Sequence, residues 1–304
     1  MLKIRKLSMQ LAKKAQDELN EKPSEMENHI KDLRNWILKQ PYLIARTDDQ
    51  FLVTFLRGSK YNQDVAKQKI NLFFTMRSLS TEITQMRDIR FGKNAKLLKL
   101  GTTIPLPMPQ SYDGPRIILI RPGAYNPEEF DIVDVFKMYI LLTDFLLMED
   151  DNFVVSGQVG ILDLTNVTSA HFDQFKPDIV KKMTYLCQDS LPVKPMGFHY
   201  VCCPDGFEFI FNLFKSFMSD EYKSLLFVHG QNFGTLYNHV PKQFLPTEYG
   251  GDAGTIAQLS ANWMKKLLDN VDSLNEWNKY GTNELHRPGA PITDETIKLS
   301  DFRI

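Results

Sequence analysis

Few residues of this chain have the type and spacing that chemistry requires. The histidines are scattered, and none forms a metal-binding pair on a helix; they are His29, His171, His199, His229, His239 and His286. Cys187, Cys202 and Cys203 lack the paired spacing of a zinc site, and three cysteines cannot complete a disulfide framework. A glycine-rich phosphate loop and a Gly-x-Ser-x-Gly motif are both missing from the sequence. We therefore predict reduced thiols, no metal site and no cofactor.

Three polar residues lie in or beside apolar segments, where they need partners. An isolated charge on Asp163, within the apolar residues 158–164, would be costly, so we expect a structural ion pair or cap there rather than a catalytic acid. His199 and His229 are predicted to be hydrogen-bonded structural histidines, with a ligand or ionic role as the alternative. Because catalytic groups meet in space and not in sequence, the missing nucleophile and base favour binding over catalysis only modestly.

The bulk composition is that of a folded protein with no polyanionic partner. The chain has 304 residues, of which 43% are hydrophobic and 24% charged, and its formal net charge is -1. This balance indicates no nucleic-acid partner. The sequence has neither an apolar signal core nor an apolar run long enough to span a bilayer. We therefore expect a cytoplasmic protein that meets membranes only at their surface.

The first hundred residues are typical of a small helical bundle. Residues 6–20 and 25–40 have amphipathic helical periodicity. Asp48 and Asp49 stand where a helix cap belongs, and a further helix is predicted over residues 63–76. The pattern predicts no strand in this part, which we interpret as an N-terminal domain of residues 1–100.

The pattern changes at residue 101. Residues 101–115 contain four prolines and two glycines and are predicted to form a loop. Apolar runs predict strands at residues 116–121, 158–164, 197–203 and 224–228. Helices are predicted at residues 131–149, 176–189, 207–218, 232–240 and 255–280. Strands separated by helices predict an α/β fold with a parallel or mixed sheet over residues 101–280, followed by a surface tail at 281–304.

Five segments, in order and at comparable spacing, resemble the CRAL-TRIO lipid-binding family. They are residues 48–67, 160–165, 189–199, 227–232 and 245–251, and they include Gly-Ile-Leu-Asp-Leu-Thr and Leu-Pro-Thr-Glu-Tyr-Gly-Gly. The resemblance is to the insect type of the branch that carries tocopherol and retinaldehyde. It implies an N-terminal helical bundle and an α/β domain with a mostly parallel sheet, in which a mobile helical lid covers an apolar cavity.

The last of these segments, residues 245–251, has the chemistry of a fixed bend. Pro246, Gly250 and Gly251 favour the bend itself. Glu248 is expected to anchor it, through either a buried cation or backbone donors. The segment identifies the family but contributes none of the implied cavity residues.

The resemblance, carried over position by position, implies a nearly apolar cavity wall. The implied ligand-binding residues are Phe136, Tyr139, Ile140, Thr143, Leu162, Phe175, Met183, Leu186, Cys187, Leu191, Phe198, Phe207, Ile210, Phe211 and Phe214. Such a wall suits a long, mostly hydrocarbon ligand with one hydroxyl or carbonyl. Tyr139 and Phe198 replace smaller or aliphatic residues of the tocopherol-carrying pattern. A planar polyene such as a retinoid is therefore predicted beside tocopherol, while each residue of the wall could equally be plain core.

The helix at residues 207–218 carries apolar side chains on two stripes. Phe207, Ile210, Phe211 and Phe214 form one stripe, and Phe209, Leu213 and Phe217 form the other. A helix that is apolar on most sides must be covered on most sides. The alternatives are a doubly buried core helix and a lid whose inner face touches ligand while its outer face enters a membrane. Gly206 before the helix and Ser219-Asp220 after it are candidate hinge and cap positions.

The tocopherol-carrying branch also has a basic patch for a phosphoinositide head group, and here that patch is thinned. The candidate contacts in this sequence are Arg57, Lys194, Lys215 and Lys223. Met196, Glu221 and Leu225 stand where three further basic residues are expected. Each such cation contributes about 1 kcal/mol at an anionic membrane surface, so we predict weak or absent phosphoinositide selectivity.

The residues and the resemblance together predict a monomeric, non-enzymatic intracellular carrier. It would bind one retinoid, tocopherol or similar hydrophobe and transfer it between membranes through transient contact of the lid helix. The alternative is a phospholipid or phosphoinositide exchange regulator, which needs a polar head-group subsite. A third possibility, an enzyme acting on a lipid, needs reactive groups that the implied wall does not offer beyond Tyr139, Thr143 and Cys187.

Overall fold

The first part of the computed structural model is helical, as the sequence predicts. The structure describes residues 2–85, 88–109, 111–231 and 233–297. Its first six helices are α1 (Met9–Leu19), α2 (Met26–Leu38), α3 (Asp49–Gly58), α4 (Gln63–Leu79), α5 (Thr81–Thr84) and α6 (Gly92–Leu100). The predicted cap at Asp48 is confirmed, because its carboxylate accepts a hydrogen bond from Phe51 N at 3.0 Å.

A five-stranded, mostly parallel sheet forms the centre of the second part. The strands are β1 (Leu43–Ile44), β2 (Thr103–Pro105), β3 (Arg116–Ile120), β4 (Gln158–Asp163), β5 (Pro195–Val201), β6 (Leu226–Val228) and β7 (Gly281–Thr282). The sheet has the order β2-β3-β4-β5-β6, and only the β2–β3 pair is antiparallel. The predicted fold class, helices followed by an α/β domain with a mostly parallel sheet, is confirmed.

Three strands lie where the sequence predicts none. β1 lies in the helical part and pairs antiparallel with β7, which lies in the predicted tail. β2 lies inside the predicted loop 101–115 and pairs with β3, so that Thr103 is opposite Ile120. In each case a partner strand distant in sequence supplies the hydrogen bonds, which local propensity cannot reveal.

The remaining helices surround the sheet. They are α7 (Ile132–Glu149), α8 (Asp151–Ser156), α9 (Ser169–Phe172), α10 (Pro177–Thr184), α11 (Phe207–Phe217), α12 (Asp220–Lys223), α13 (Ile256–Asp269) and α14 (Val271–Asn275). α7 begins in a capping box, in which Asp131 and Asp134 each accept from the other's backbone N–H. Each helix of the described residues is either too short or too polar to span a bilayer.

Three predicted helices differ from the structure. The helix predicted at 176–189 changes into a π-helical turn at Tyr185–Ser190. The helix predicted at 255–280 is broken into α13, α14 and a 3-10 turn. The short helix predicted at 232–240 is a single 3-10 turn at Leu236–Asn238, and its first residue, Asn232, lies outside the described residues. Each break comes at a terminus or turn, where periodicity carries little information.

Residues after 270 pack against the N-terminal helical part. Trp277 is buried in the core of the helical part, with ring centroids 6.1 Å from Phe51 and 6.0 Å from Phe73. In the tail, the Arg287 guanidinium lies 4.0 Å from the Tyr42 ring centroid. The packing thus draws residues after 270 onto the first hundred, while the boundaries at 100 and 280 stay predictions. Residues 298–304 of the tail lie outside the described residues.

Residues 245–251 pack against one face of the sheet, here called the back face, and are hydrogen-bonded to its strand β4. The Asp163 carboxylate, at the end of β4, accepts a hydrogen bond from the Tyr249 hydroxyl and another from Thr165 Oγ1 at 2.6 Å. The Ile256 N–H donates a bifurcated hydrogen bond to the two carboxylate oxygens of Glu248, at 3.0 and 3.1 Å, and Glu248 so anchors the start of α13. The predicted bend is confirmed, because a Cβ at Gly251 would lie only 2.0 Å from Leu245 O. Asp163 therefore has the structural partner that its burial requires.

Candidate functional site

A cavity of about 190 Å³ lies between the front of the sheet and helix α11. Its walls come from β2 to β5, from the first two turns of α7, and from α10, α11 and the segments that join them. One water molecule needs only about 10–15 Å³ of such space, so the cavity can hold a substantial organic molecule. Nearly all of its surface is contributed by carbon atoms of aliphatic and aromatic side chains.

The cavity floor is a row of side chains that are in register across four strands. Thr103 of β2 is paired with Ile120, Ile120 with Leu162, and Leu162 with Tyr200. Because paired residues of neighbouring strands point to the same face of a sheet, all four line the cavity. In the next row Gly160 is paired with Phe198, and a Cβ at Gly160 would lie 2.9 Å from the Phe198 ring. The glycine therefore gives the ring room to lie on the floor.

Helix α11 closes the cavity as a lid. It begins at Gly206, whose φ of 84° favours glycine. On its inner face the Phe207 ring lies 5.3 Å from the Tyr200 ring, and the Phe214 ring lies 5.7 Å from Phe175. On its outer face Phe209 is 73% exposed. The alternative of a core helix buried on both sides is therefore wrong.

Most of the wall residues that the resemblance implied do line this cavity. They are Phe136, Tyr139, Leu162, Phe175, Met183, Cys187, Phe198, Phe207, Ile210, Phe211 and Phe214. Ile140, Thr143, Leu186 and Leu191 are instead buried in the surrounding protein. α7 passes beyond the cavity after Tyr139, and the π-helical turn changes which side chains after Thr184 face inward. The role of the lining residues in binding stays a prediction.

Sequence reasoning missed more than half of the wall. The further lining residues are Thr103, Ile120, Pro122, Ile132, Val135, Leu164, Val167, His171, Phe172, Thr184, Gln188, Tyr200, Met218 and Tyr222. Strand alternation from Leu162 and Phe198 would have found Leu164 and Tyr200. Helical spacing from Phe136 would have found Ile132. No local signal could have found Thr103, because its strand was predicted to be a loop.

The lining has no charged Lys, Arg, Asp or Glu among the described residues. Burial raises the pKa of the Cys187 thiol to about 12, so this group stays protonated and is a poor nucleophile. The His171 ring is held between Thr168 Oγ1, at 3.0 Å, and Tyr125 O, at 3.1 Å. The arrangement is suited to enclosing an apolar molecule.

The four candidate head-group residues differ in whether their charge is available to a head group. Arg57 is 2% exposed and donates to Glu21 at 2.7 and 3.2 Å, so our expectation of a surface contact there is wrong: this charge is neutralised inside the helical part. Lys194 is exposed. Lys215 lies over the Phe211 ring at 5.3 Å, and Lys223 is paired with Asp220 at 2.8 Å.

His199 of β5 and His229, which follows β6, lie behind the sheet and away from the cavity. Nδ1 of His199 lies 3.0 Å from Nε2 of His229, and Nδ1 of His229 lies 2.8 Å from Thr235 Oγ1. Burial, followed by the nearby His229 and His239, lowers the pKa of His199 to about 4. The predicted hydrogen bonding of His199 and His229 is confirmed, and their structural role stays a prediction.

Comparison with known proteins gives matches to both parts of the chain. Residues 108–251 match the CRAL/TRIO domain, and residues 22–92 match the Pinta-like UBA domain. The mouse (Mus musculus) alpha-tocopherol transfer protein-like is 30% identical over 265 residues, which cover 86% of this chain and 75% of that protein. Mouse clavesin-2 is 27% identical over 301 residues, which cover 97% of this chain and 88% of the relative.

Among solved structures, the crystal structure of Sfh5 shows a loose likeness. Its TM-score is 0.48 at 12% identity, over 88% of this chain and 100% of that one. The alignment with the relative that is 30% identical covers most of both chains, and the CRAL/TRIO match contains strands β3 to β6 and the lid helix α11. The chain therefore belongs to the CRAL-TRIO family of lipid-binding and lipid-transfer proteins.

Proposed function

We propose that this protein is an intracellular carrier that binds one lipophilic small molecule, a retinoid, tocopherol or similar lipid, and transfers it between membranes. The supporting observation is the cavity itself, which is nearly all apolar and is closed by α11. The carrier is cytoplasmic and monomeric, uses no cofactor and changes no covalent bond of its cargo. The name of the mouse relative, alpha-tocopherol transfer protein-like, supports the choice of cargo.

Hydrophobic enclosure supplies enough free energy for this task. Burying roughly 400 Å² of apolar ligand surface at about 25 cal/mol/Å² gives on the order of 10 kcal/mol. The loss of translational and rotational freedom offsets several kcal/mol of this gain. The remainder is sufficient to hold a lipid in water and still to release it at a bilayer.

Flat aromatic pairs in the wall favour a planar cargo. Phe136 and Tyr139 are stacked, with ring centroids 5.5 Å apart and planes 18° apart. Phe198 and Tyr222 are stacked in the same way, at 5.9 Å and 27°. Flat walls complement a conjugated polyene or a chroman ring better than a branched, flexible chain. This geometry supports a retinoid first, and in tocopherol it suits the chroman ring but not the branched chain.

The outer face of α11 is the proposed membrane contact. Phe209 is 73% exposed there, and Leu213 and Phe217 are partly exposed on the same stripe. An aromatic and aliphatic stripe of this kind can enter the boundary between head groups and acyl chains. Movement about Gly206 would then lift the inner face away from the floor and open the cavity to the membrane.

The alternative function, exchange of a phosphoinositide, has less support. With Arg57 bound to Glu21, the exposed Lys194 and the partly exposed Lys215 and Lys223 are the remaining candidates, and Lys223 already has a carboxylate partner. Met196, Glu221 and Leu225 add no positive charge. We propose weak selectivity for these lipids. A strong preference for phosphatidylinositol bisphosphate in liposome binding, lost in Lys194→Ala, would contradict this.

The decisive experiment identifies the cargo directly. The purified protein is extracted with organic solvent, and the extract is identified by mass and absorbance. A retinoid, tocopherol or similar neutral lipid at about one equivalent supports the proposal. A phospholipid in its place would favour the exchange function, and conversion of an added lipid to a new product would show that the protein is an enzyme.

A further inference from the structure

Most polar side chains of the cavity wall already have partners within the protein. The Tyr139 hydroxyl donates to Gln158 Oε1 at 3.3 Å. The Tyr222 hydroxyl lies 3.3 Å from Cys187 O, and the Thr184 hydroxyl donates to Val180 O at 2.9 Å. These groups have no need of a ligand, because a satisfied buried hydroxyl gains little from exchanging partners.

The amide of Gln188 is also satisfied. Its Nε2 donates to Asp189 Oδ2 at 2.9 Å, and its Oε1 accepts from Ser219 N at 2.9 Å. His171 is held by Thr168 and by a backbone carbonyl, as described above. The Cys187 thiol is hydrogen-bonded to the Tyr139 side chain. Two polar wall residues therefore remain, Thr103 and Tyr200, and they occupy opposite ends of the register row that forms the floor.

The two remaining hydroxyls differ in how a ligand could reach them. Thr103 Oγ1 is fully buried and has no hydrogen-bond partner, so it is sealed in the wall. Tyr200 lines the cavity directly beneath the lid, with its ring 5.3 Å from Phe207 and 5.2 Å from Phe211. No hydrogen bond to its hydroxyl forms among the described residues. Burial raises the pKa of Tyr200, so the phenol stays protonated and can donate at neutral pH.

We propose that the Tyr200 hydroxyl is the hydrogen-bonding anchor for the polar group of the bound lipid. The inference rests on the carrier function proposed above and specifies the orientation of its cargo. The oxygen of the cargo lies at the Tyr200 end of the floor, under the lid. Its hydrocarbon body extends over Leu162 and Ile120 toward Thr103, which is three strand spacings or about 14 Å away.

The same geometry defines the chemical class of the cargo. A phenol can donate to an alcohol, aldehyde or ketone oxygen, and it can accept from an alcohol. A carboxylate or phosphate would be buried without a cation, because the described wall has no Lys or Arg, and the desolvation of an unpaired charge is very costly. The cargo is therefore a neutral lipid with a single oxygen function at one end.

Three retinoids that differ only at the end group can test this. They are retinol, the same polyene ending in a methyl group, and retinoic acid, each titrated by quenching of tryptophan fluorescence. We expect retinol to bind about fivefold more tightly than the hydrocarbon. We expect retinoic acid at neutral pH to bind at least tenfold more weakly than retinol.

The matched variants are Tyr200→Phe and Tyr222→Phe, each of which removes one phenol oxygen from the wall and keeps the ring. Tyr200→Phe should weaken retinol binding about fivefold and leave hydrocarbon binding unchanged. The hydrocarbon measurement also shows that the variant is folded. Tyr222→Phe should shift both ligands together, because its hydroxyl is already bonded to the backbone.

The possible outcomes separate the anchor from the carrier function. If Tyr200→Phe changes the affinities for retinol and hydrocarbon equally, or if Thr103→Val alone removes the retinol advantage, the anchor is wrong and the carrier function stands. Retinoic acid binding as tightly as retinol would overturn the neutral class. If neither retinol nor the hydrocarbon binds the wild-type protein, both the anchor and a retinoid-carrying function are wrong.

Discussion

The two faces of the central sheet are built by the same strands, but the front face borders a cavity and the back face lies in a packed layer. On the front, Phe198 and Tyr200 of β5 border open space. On the back, His199 is 2% exposed and Val201 is completely buried, in a layer closed by residues 233–254. Alternation along each strand is therefore all that separates a packed core from a binding cavity. The back face is filled by side chains of residues 233–254, whereas the front face borders the cavity.

The sharpest test of this difference uses neighbouring residues of β4. Ile161→Ala on the back face should lower the free energy of unfolding by about 3 kcal/mol, because Ile161 is 0% exposed and a new hole would form in a packed layer. Leu162→Ala on the front should cost only about 1 kcal/mol, since its side chain already borders the cavity. Urea denaturation measures both, and equal losses would remove the distinction between the faces.

Loss of the hydrogen bonds that Asp163 accepts on the back face of the sheet should have the next largest effect on stability. Asp163→Asn should lower the free energy of unfolding by about 2 kcal/mol, because the carboxylate accepts from both Tyr249 and Thr165. Tyr249→Phe removes one of these donors. The double variant should therefore lose less than the sum of the single losses. Strict additivity would show that Asp163 and Tyr249 do not stabilise the fold through each other.

Substitutions on the outer face of the lid helix α11 should change the rate of lipid transfer rather than the stability of the protein. Phe209→Asp should slow the transfer of retinol to phosphatidylcholine vesicles about tenfold, because a charge replaces an aromatic ring at the proposed membrane contact. Phe91→Asp is the matched control, since Phe91 is 71% exposed and Phe209 is 73% exposed. Equal slowing in both variants would contradict a specific role of α11. Stopped-flow fluorescence of retinol measures the rates.

His199, on the back face of the sheet, should make the free energy of unfolding depend on pH. An unfolded histidine has a pKa near 6.5, whereas the pKa of folded His199 is lowered to about 4. Between these values the unfolded state binds more protons, so this contribution is complete above pH 6.5 and is lost as the pH falls toward 4. We expect a loss of about 1 kcal/mol between pH 7 and pH 5. Urea denaturation across this range should show a flatter profile for His199→Gln.

Local patterns predicted the parts of this fold that local interactions stabilise. The Asp48 cap, the amphipathic helices of the first hundred residues and the apolar strand containing Asp163 were all visible in the sequence. Elements that depend on distant partners were not visible. β1 exists because β7 lies beside it, and β2 exists because β3 supplies its hydrogen bonds.

The cavity shows the same division. The family resemblance placed Phe136, Met183 and Phe207 on its wall, but it also included Ile140 and Leu191, which are buried elsewhere. The spacing of apolar residues shows which side of an element faces inward. It does not show where along that element the cavity ends, because this depends on how neighbouring elements cross.

The sequence by itself determined the class of the protein: helices followed by an α/β domain, an aromatic helix after Gly206, and a chain with no nucleotide or metal motif. These are properties of composition, periodicity and ordered motifs, which are local. The tertiary structure alone decided that Arg57 is neutralised by Glu21 and that Thr103 and Tyr200 end one row of the floor. Such contacts join residues tens of positions apart, and only packing of the whole chain brings them together.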